Sequence, residues 1–316
     1  MIKTRKIAII GVGHVGSHCA YSLITQGICD ELILVDIDEA KVSGHAADLE
    51  DAVAYLPHRV EISVGQIEDC VNTDIIVISA GAPRQEKQTR LDIMDDTVEI
   101  FKTIIPQLLT IKFEGIIINL SNPADVMTCY LQAKTDLPAS RVISTSTMLD
   151  SARLKKILSQ NLKVDSKSIC AYVMGEHGDS QMVCWSAASI GGELLTEWLR
   201  QNPEECTGLN FADIAVQAKA EGGLILKRKE FTEFGIGVAL TELVKAILHN
   251  ENKILPVSVL LEGQYGQNHV YASVPAIIGK NGVHKIIELA LTNEEKHAFV
   301  KSCSIIKTNY QRAMRL

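Results

Sequence analysis

The stretch Gly11-Val12-Gly13-His14-Val15-Gly16 limits what this chain can fold into more than any other feature. It follows the apolar run Ile7-Ala8-Ile9-Ile10 and opens a helical run over residues 17–26. Glycines at these places permit a tight turn, let the backbone approach a pyrophosphate and let the helix pack closely on its strand. Amides at the N-terminus of that helix then hold the phosphate charge. Asp36 ends the next apolar run, Leu32-Ile33-Leu34-Val35, about twenty residues after Gly16. A carboxylate there accepts hydrogen bonds from the hydroxyls of an adenosine ribose and repels a 2′-phosphate. Turn, helix and acid together predict a bound dinucleotide, NAD in preference to NADP. The cofactor-binding candidates from this unit are Gly11, Gly13, Val15, Gly16 and Asp36. The competing role for Asp36, a solvated acid at a strand end, suits Asp38 better.

Further apolar runs, Ile75-Ile76-Val77-Ile78, Ile116-Ile117-Ile118 and Val142-Ile143, alternate with longer amphipathic stretches. Continuous β-branched runs bounded by turns suit parallel strands covered by helices on both faces. The first half therefore predicts an α/β fold, a Rossmann-type doubly wound parallel sheet. Beyond residue 150 helical patterns at 151–160, 210–229, 235–250 and 292–316 surround strand-like segments at 169–174, 257–261 and 269–273. That texture predicts an α+β substrate-binding catalytic domain, with a division into 1–147 and 148–316. A chain of 316 residues with 47% hydrophobic residues has the material for two cores.

The net charge of -7, without a run of five or more lysines and arginines, gives no electrostatic footprint for nucleic acid or an anionic membrane. A small-molecule partner is favoured. The apolar run after residue 6 is far too short for a signal segment or a bilayer span. Eight cysteines without a C-x-x-C pair read as reduced small hydrophobes, so the expected location is cytoplasmic. His14, His18 and His45 form no convincing ligand set with nearby carboxylates, and no metal is expected.

Two segments of the second half carry reactive chemistry: Asp150-Ser151-Ala152-Arg153 and Gly175-Glu176-His177-Gly178-Asp179-Ser180. They offer a proton on His177, a carboxylate to tune it and a guanidinium fork for a substrate carboxylate. Small neighbours leave space for a compact molecule. Such a set suits the oxidation or reduction of a 2-hydroxy or 2-oxo acid. Each residue also has a plain alternative, and Asp150 in particular suits a cap for a helix beginning at Ser151.

With these segments, Ala80-Gly81-Ala82-Pro83, Thr89-Arg90-Leu91-Asp92, Ser121-Asn122-Pro123, the 246–252 segment and Val274-Pro275-Ala276, the chain resembles the L-lactate and malate dehydrogenase superfamily. The likeness spans essentially the whole chain and is strongest to its L-lactate dehydrogenase and L-2-hydroxyisocaproate dehydrogenase branches. It implies that His177 is the proton donor in reduction, that Asp150 orients the ring and that Arg153 grips the substrate carboxylate. It further implies that Arg90, on a closing loop, polarises the carbonyl, and that Asn122 contacts a substrate oxygen or the nicotinamide side. Ala80 and Gly81 join the cofactor site, while Arg84 and Thr232 join the substrate site. A homotetramer or dimer is implied, with the amphipathic segment 43–54 as interface material.

Selectivity pulls in three directions. Arg84 stands where an arginine goes with malate enzymes and a glutamine with lactate enzymes. Glu176, Thr232 and Thr89-Arg90-Leu91-Asp92 resemble the lactate pattern. Gly222 and Gly223 resemble the hydroxyisocaproate branch, where a lost side chain makes room for a bulkier substrate. The loop Gln85-Glu86-Lys87-Gln88 lacks the usual Pro-Gly. Lactate or a related 2-hydroxy monocarboxylate ranks first and malate second; a non-catalytic NAD-binding structural protein is the alternative of a different class. Ser144 and Ser146 stand where the family commonly has glycines, which predicts a tighter strand end near the cofactor. Lys155 and Cys170 stand where allosteric bacterial relatives pair an arginine and a histidine, which implies weak or absent activation by fructose 1,6-bisphosphate.

Overall fold

The structure is a computed structural model that describes residues 4–82, 93–206 and 208–316. Strands β1 (Lys6–Ile10), β2 (Glu31–Val35), β3 (Glu61–Val64), β4 (Ile75–Ile78), β5 (Ile116–Asn119) and β6 (Val142–Ser144) run parallel in the order β3-β2-β1-β4-β5-β6. This is the doubly wound order expected from the glycine turn and the apolar runs. Helices α1 (His14–Thr25), α2 (Glu39–Val53), α3 (Met94–Thr110) and α4 (Ala124–Lys134) connect the strands. Every residue of β4 and β5 is buried, as continuous apolar strands under two helical layers must be. The edge strand β3 buries only Ile62 and turns Glu61, Ser63 and Val64 outward, so it lacks the continuous run that marks its neighbours.

Strand order reverses between β1 and β4, and a crevice opens beyond their C-terminal ends. The loops there are locked together: Ser79 and Ala80 donate backbone N–H bonds to the Ile10 carbonyl at 2.8 and 3.1 Å. Both cofactor motifs therefore reach the same place.

The second half begins with α5 (Met148–Leu162) and five two-residue strands, β7 (Ile169–Cys170), β8 (Val173–Met174), β9 (Met182–Val183), β10 (Ser189–Ile190) and β11 (Glu193–Leu194). Then come α6 (Leu195–Gln201), α7 (Phe211–Lys229), α8 (Phe234–Leu248), β12 (Lys253–Glu262), β13 (Asn268–Gly279), β14 (Gly282–Ile286) and α9 (Asn293–Ala313). The expected strand at 169–174 is split, because β7 pairs with β10 whereas β8 pairs with β9. The parallel sheet also does not stop at β6. Ser258 of β12 pairs antiparallel with Ser144, and β13 and β14 follow, giving one nine-stranded sheet.

Helix α5 starts three residues before the expected Ser151, which corrects the reading of Asp150 as its cap. Thr147 is at the cap position, and its hydroxyl instead donates to the Val173 carbonyl at 2.6 Å. Asp150 lies inside the first turn, and its carboxylate bonds to His177 and Arg153 rather than to the helix start. Helix α9 starts with a reciprocal capping box between Thr292 and Glu295 and lays Phe299, Cys303 and Ile306 in the core. Burial of each of the two larger side chains stabilises the fold by about 1.5–3 kcal/mol. This fixes α9 behind the loop that carries His177.

Candidate active site

A cavity of about 310 Å3 lies at the crevice, lined by Gly11, Gly13, Asp36, Ile37, Ala80 and Gly81 among others. Gly11 has φ +92°, and a Cβ on it would stand 2.3 Å from the Ala80 nitrogen. A Cβ on Gly13 would meet nothing within 4 Å, so that position faces open space where a ligand backbone can approach. Gly16 does not line this cavity. A Cβ there would lie 2.0 Å from the Gly11 carbonyl oxygen, so this glycine serves helix-to-strand contact beneath the turn. Gly16→Ala is therefore expected to lose about 3 kcal/mol or more in a urea titration and to weaken NADH binding. A variant of wild-type stability that binds NADH normally would contradict this.

Asp36 is tied to the turn it serves. Its Oδ2 accepts from the Val12 N–H at 2.6 Å and its Oδ1 from the Asp38 N–H at 3.1 Å. Asp38 caps α2 by accepting from the Lys41 N–H at 3.0 Å, so the two acids have different duties.

A second cavity of about 240 Å3 continues from the first, with Ser79 and Gly81 lining both. Its walls include Val15, Asn122, Arg153, His177 and Thr232, with Leu226 and Ile236 as apolar lining. The Asn122 Oδ1 is buried and has no hydrogen-bond partner. A joined trough with glycines and a ribose-type acid at one end and an orphaned amide oxygen at the other fits a dinucleotide. A larger groove of about 590 Å3, with Leu108, Phe113 and Arg141 among its lining residues, lies by the starts of β5 and β6. It lacks a histidine, so size alone does not locate the chemistry.

The structure brings His177, Asp150 and Arg153 together. His177 Nδ1 lies 2.5 Å from Asp150 Oδ2, and Arg153 Nη1 donates to Asp150 Oδ1 at 3.1 Å. The Asp150 side chain is only 2% exposed and that of Arg153 7%, so the pair works away from bulk water, where charge interactions are strong. The bond to the carboxylate places a proton on Nδ1 and leaves Nε2 as the nitrogen available for proton exchange.

The loop around His177 is pinned from three sides. Gly175 exchanges two 2.9 Å backbone bonds with Ser273 of β13. The Glu176 N–H donates to Ser302 Oγ of α9 at 2.8 Å, and the His177 N–H to Asp125 Oδ2 of α4 at 2.7 Å. The Glu176 carboxylate turns back to accept from the Ser180 hydroxyl at 2.5 Å. Sequence reasoning overlooked Asp125, Ser273 and Ser302. An acid in the first turn of a helix reads as a dipole partner, and two serines carry no signal of their own.

Gly222 and Gly223 part company. A Cβ on Gly222 would lie 3.2–3.4 Å from the Arg153 guanidinium, whereas one on Gly223 would meet nothing within 4 Å. The expectation that both enlarge the pocket is corrected: the room at Gly222 is taken by the Arg153 guanidinium and Gly222 does not line the cavity, while Gly223 is exposed on the outer side of α7. Arg84, Arg90 and the other residues of 83–92 lie outside the described residues.

Residues 5–144 match a family model described as lactate/malate dehydrogenase, NAD binding domain, and residues 147–316 its alpha/beta C-terminal domain. An L-lactate dehydrogenase from Fusobacterium nucleatum is 42% identical over 307 residues, covering 97% of this chain and 96% of the relative. L-lactate dehydrogenase 2 from Enterococcus faecalis is 45% identical over 303 residues, 96% of this chain and 95% of the relative. The minor L-lactate dehydrogenase from Enterococcus mundtii, solved with ligands bound, superposes with a TM-score of 0.92 at 36% identity and covers 98% of each chain. Malate dehydrogenase from Cryptosporidium parvum superposes with a TM-score of 0.94 at 30% identity, covering 99% of this chain and 100% of that one. Backbone shape is thus shared by enzymes with different substrates.

Proposed function

This chain belongs to the lactate/malate dehydrogenase family, and from that premise we propose that it is an NAD-dependent L-lactate dehydrogenase, converting pyruvate or a related 2-oxo monocarboxylic acid to the 2-hydroxy acid and back. The observation that carries the reading is the meeting of His177 and Arg153 on the two oxygens of one buried carboxylate, Asp150. Hydride exchange with carbon 2 of the acid is the chemistry NAD supplies when bound.

The side chains do the rest. His177 gives the Nε2 proton to the oxygen on carbon 2 as the carbonyl becomes an alcohol, and takes it back in the other direction. Asp150 fixes the orientation and tautomer of the ring. Arg153 grips the substrate carboxylate with its planar fork, while its Nη1 bond to Asp150 sets its distance from the ring. Asn122 offers an amide oxygen without a protein donor to a substrate hydroxyl or the nicotinamide side. Arg90 polarises the carbonyl, a role proposed from its motif alone. Asp36 sets NAD over NADP: Asp36→Ser should raise the KM for NADH about tenfold and make NADPH usable. Unchanged cofactor preference in steady-state assays would defeat that assignment.

Among the described residues that line the substrate cavity, Arg153 is the one cation besides His177. One guanidinium matches one carboxylate, so monocarboxylates rank first. A malate preference would rest on Arg84. The hydroxyisocaproate reading draws on Gly222 and Gly223, and it ranks lower because the room at Gly222 is taken by the Arg153 guanidinium. Turnover is compared across pyruvate, 2-oxo-4-methylpentanoate and oxaloacetate. The largest kcat/KM is expected for pyruvate, and a strong oxaloacetate preference would reverse the ranking.

The proposal keeps the division into 1–147 and 148–316. It places the protein in the cytoplasm as a homotetramer or dimer. Burial pushes the Cys19 and Cys303 thiols up to about 12, which suits reduced cysteines packed as small hydrophobes. Phe234 and Val238 of α8, 66% and 57% exposed, provide apolar surface for self-association. Light scattering on a sizing column reads the oligomeric state.

A further inference from the structure

We propose that Ser146 is a positioning residue of the reaction: its hydroxyl holds Asp125, which in turn holds the backbone of His177. The inference rests on the reading of His177 as the proton donor.

Ser146 lies between β6 and α5 with φ +37°, in the left-handed region that favours glycine. A serine held there costs the fold on the order of 1 kcal/mol. Its side chain is put to use. The Ser146 N–H donates to Ser144 Oγ at 3.2 Å, and its hydroxyl donates to Asp125 Oδ1 at 2.8 Å. The other oxygen of that carboxylate accepts the His177 N–H at 2.7 Å. Asp125 is 1% exposed and Ser146 4%, so water does not take over either bond. A buried carboxylate with one oxygen left bare is costly, and protonation or rotation relieves it. Either change loosens the His177 backbone.

Burial pushes the Asp125 carboxyl above its ordinary range, while the Ser258 hydroxyl of β12, the His177 N–H and the Ser146 hydroxyl draw it down. Of the two hydroxyls, only that of Ser146 lies in full hydrogen-bond geometry to the carboxylate. Cys303 of α9 also faces it, and burial keeps that thiol neutral by pushing it up to about 12.

The test uses the full-length protein with NADH and pyruvate, and the variants Ser146→Gly and Ser146→Ala. Ser146→Gly relieves the left-handed strain and should therefore melt higher than Ser146→Ala, and it should lose about tenfold in kcat. The KM for pyruvate and the Kd for NADH should stay within about twofold. The His177 amide should exchange with deuterium about tenfold faster. Ser146→Ala should share these kinetic and exchange changes but melt lower. Full turnover in Ser146→Gly with unchanged exchange would overturn the proposal. So would weakened NADH binding with unchanged exchange, which would make Ser146 a cofactor contact. If wild type reduces no 2-oxo acid, the proton-donor reading fails, and the exchange comparison still decides whether Ser146 holds the loop.

Discussion

Replacing His177 by alanine is expected to lower pyruvate turnover by about 10³–10⁴-fold while NADH still binds with near-normal affinity. The separation follows from where the residues stand. The dinucleotide is held by the glycine turn and Asp36 at one end of the trough, whereas His177 lines the cavity at the other. The ring is the group placed to exchange a proton with the oxygen on carbon 2, and no neighbour replaces it. Asp150 is occupied by Arg153, and Asp125 is turned to the His177 backbone. The fold should survive, because the loop is anchored through the Gly175, Glu176 and His177 backbones, which alanine keeps. Stopped-flow reduction and NADH fluorescence titration measure the two quantities. Turnover within tenfold of wild type would remove His177 from the mechanism, and equal loss of NADH binding would show that the loop had moved.

The elements legible in the sequence are those whose signal is local. β4 is continuous and β-branched and was readable from Ile75 to Ile78 without context. The glycine turn and Asp36 carry their meaning in a fixed spacing. β3 was not readable, because an edge strand with one buried residue has no apolar run. The joining of β12 to β6 through Ser258 and Ser144 depends on tertiary packing and leaves no periodicity behind. The candidate site divides in the same way. His177, Asp150 and Arg153 stand out by residue type and motif. Asp125 meets the site across 52 residues, and Ser146 meets Asp125 across 21, so neither connection is written in any window of sequence. The start of α5 shows a nearer limit. Asp150 has the look of a cap, and only the hydroxyl of Thr147 bonding to Val173 places the helix start earlier.

Arg153→Lys should raise the KM for pyruvate roughly 100-fold, equivalent to about 3 kcal/mol, with a smaller loss in kcat. Lysine keeps the charge, so a purely electrostatic attraction would be spared. What it loses is the fork: a planar group that grips a carboxylate through parallel N–H bonds while a further N–H reaches Asp150. The site gives the shorter hydration-loving ammonium little help. Arg153 is buried against α7, where Gly222 leaves space shaped to the guanidinium, a Cβ there already coming within 3.2 Å of Nη1. An ammonium bonded to Asp150 cannot also span the substrate carboxylate, and one turned to substrate gives up the bond to Asp150 Oδ1. The second arrangement perturbs the ring, which is why some kcat is lost as well. Adding a methyl group in Gly222→Ala should press on the arginine and raise KM in the same direction but by less. A KM within about threefold of wild type for Arg153→Lys would mean that charge alone binds the acid, and the reading of this cavity as a carboxylate fork would fall.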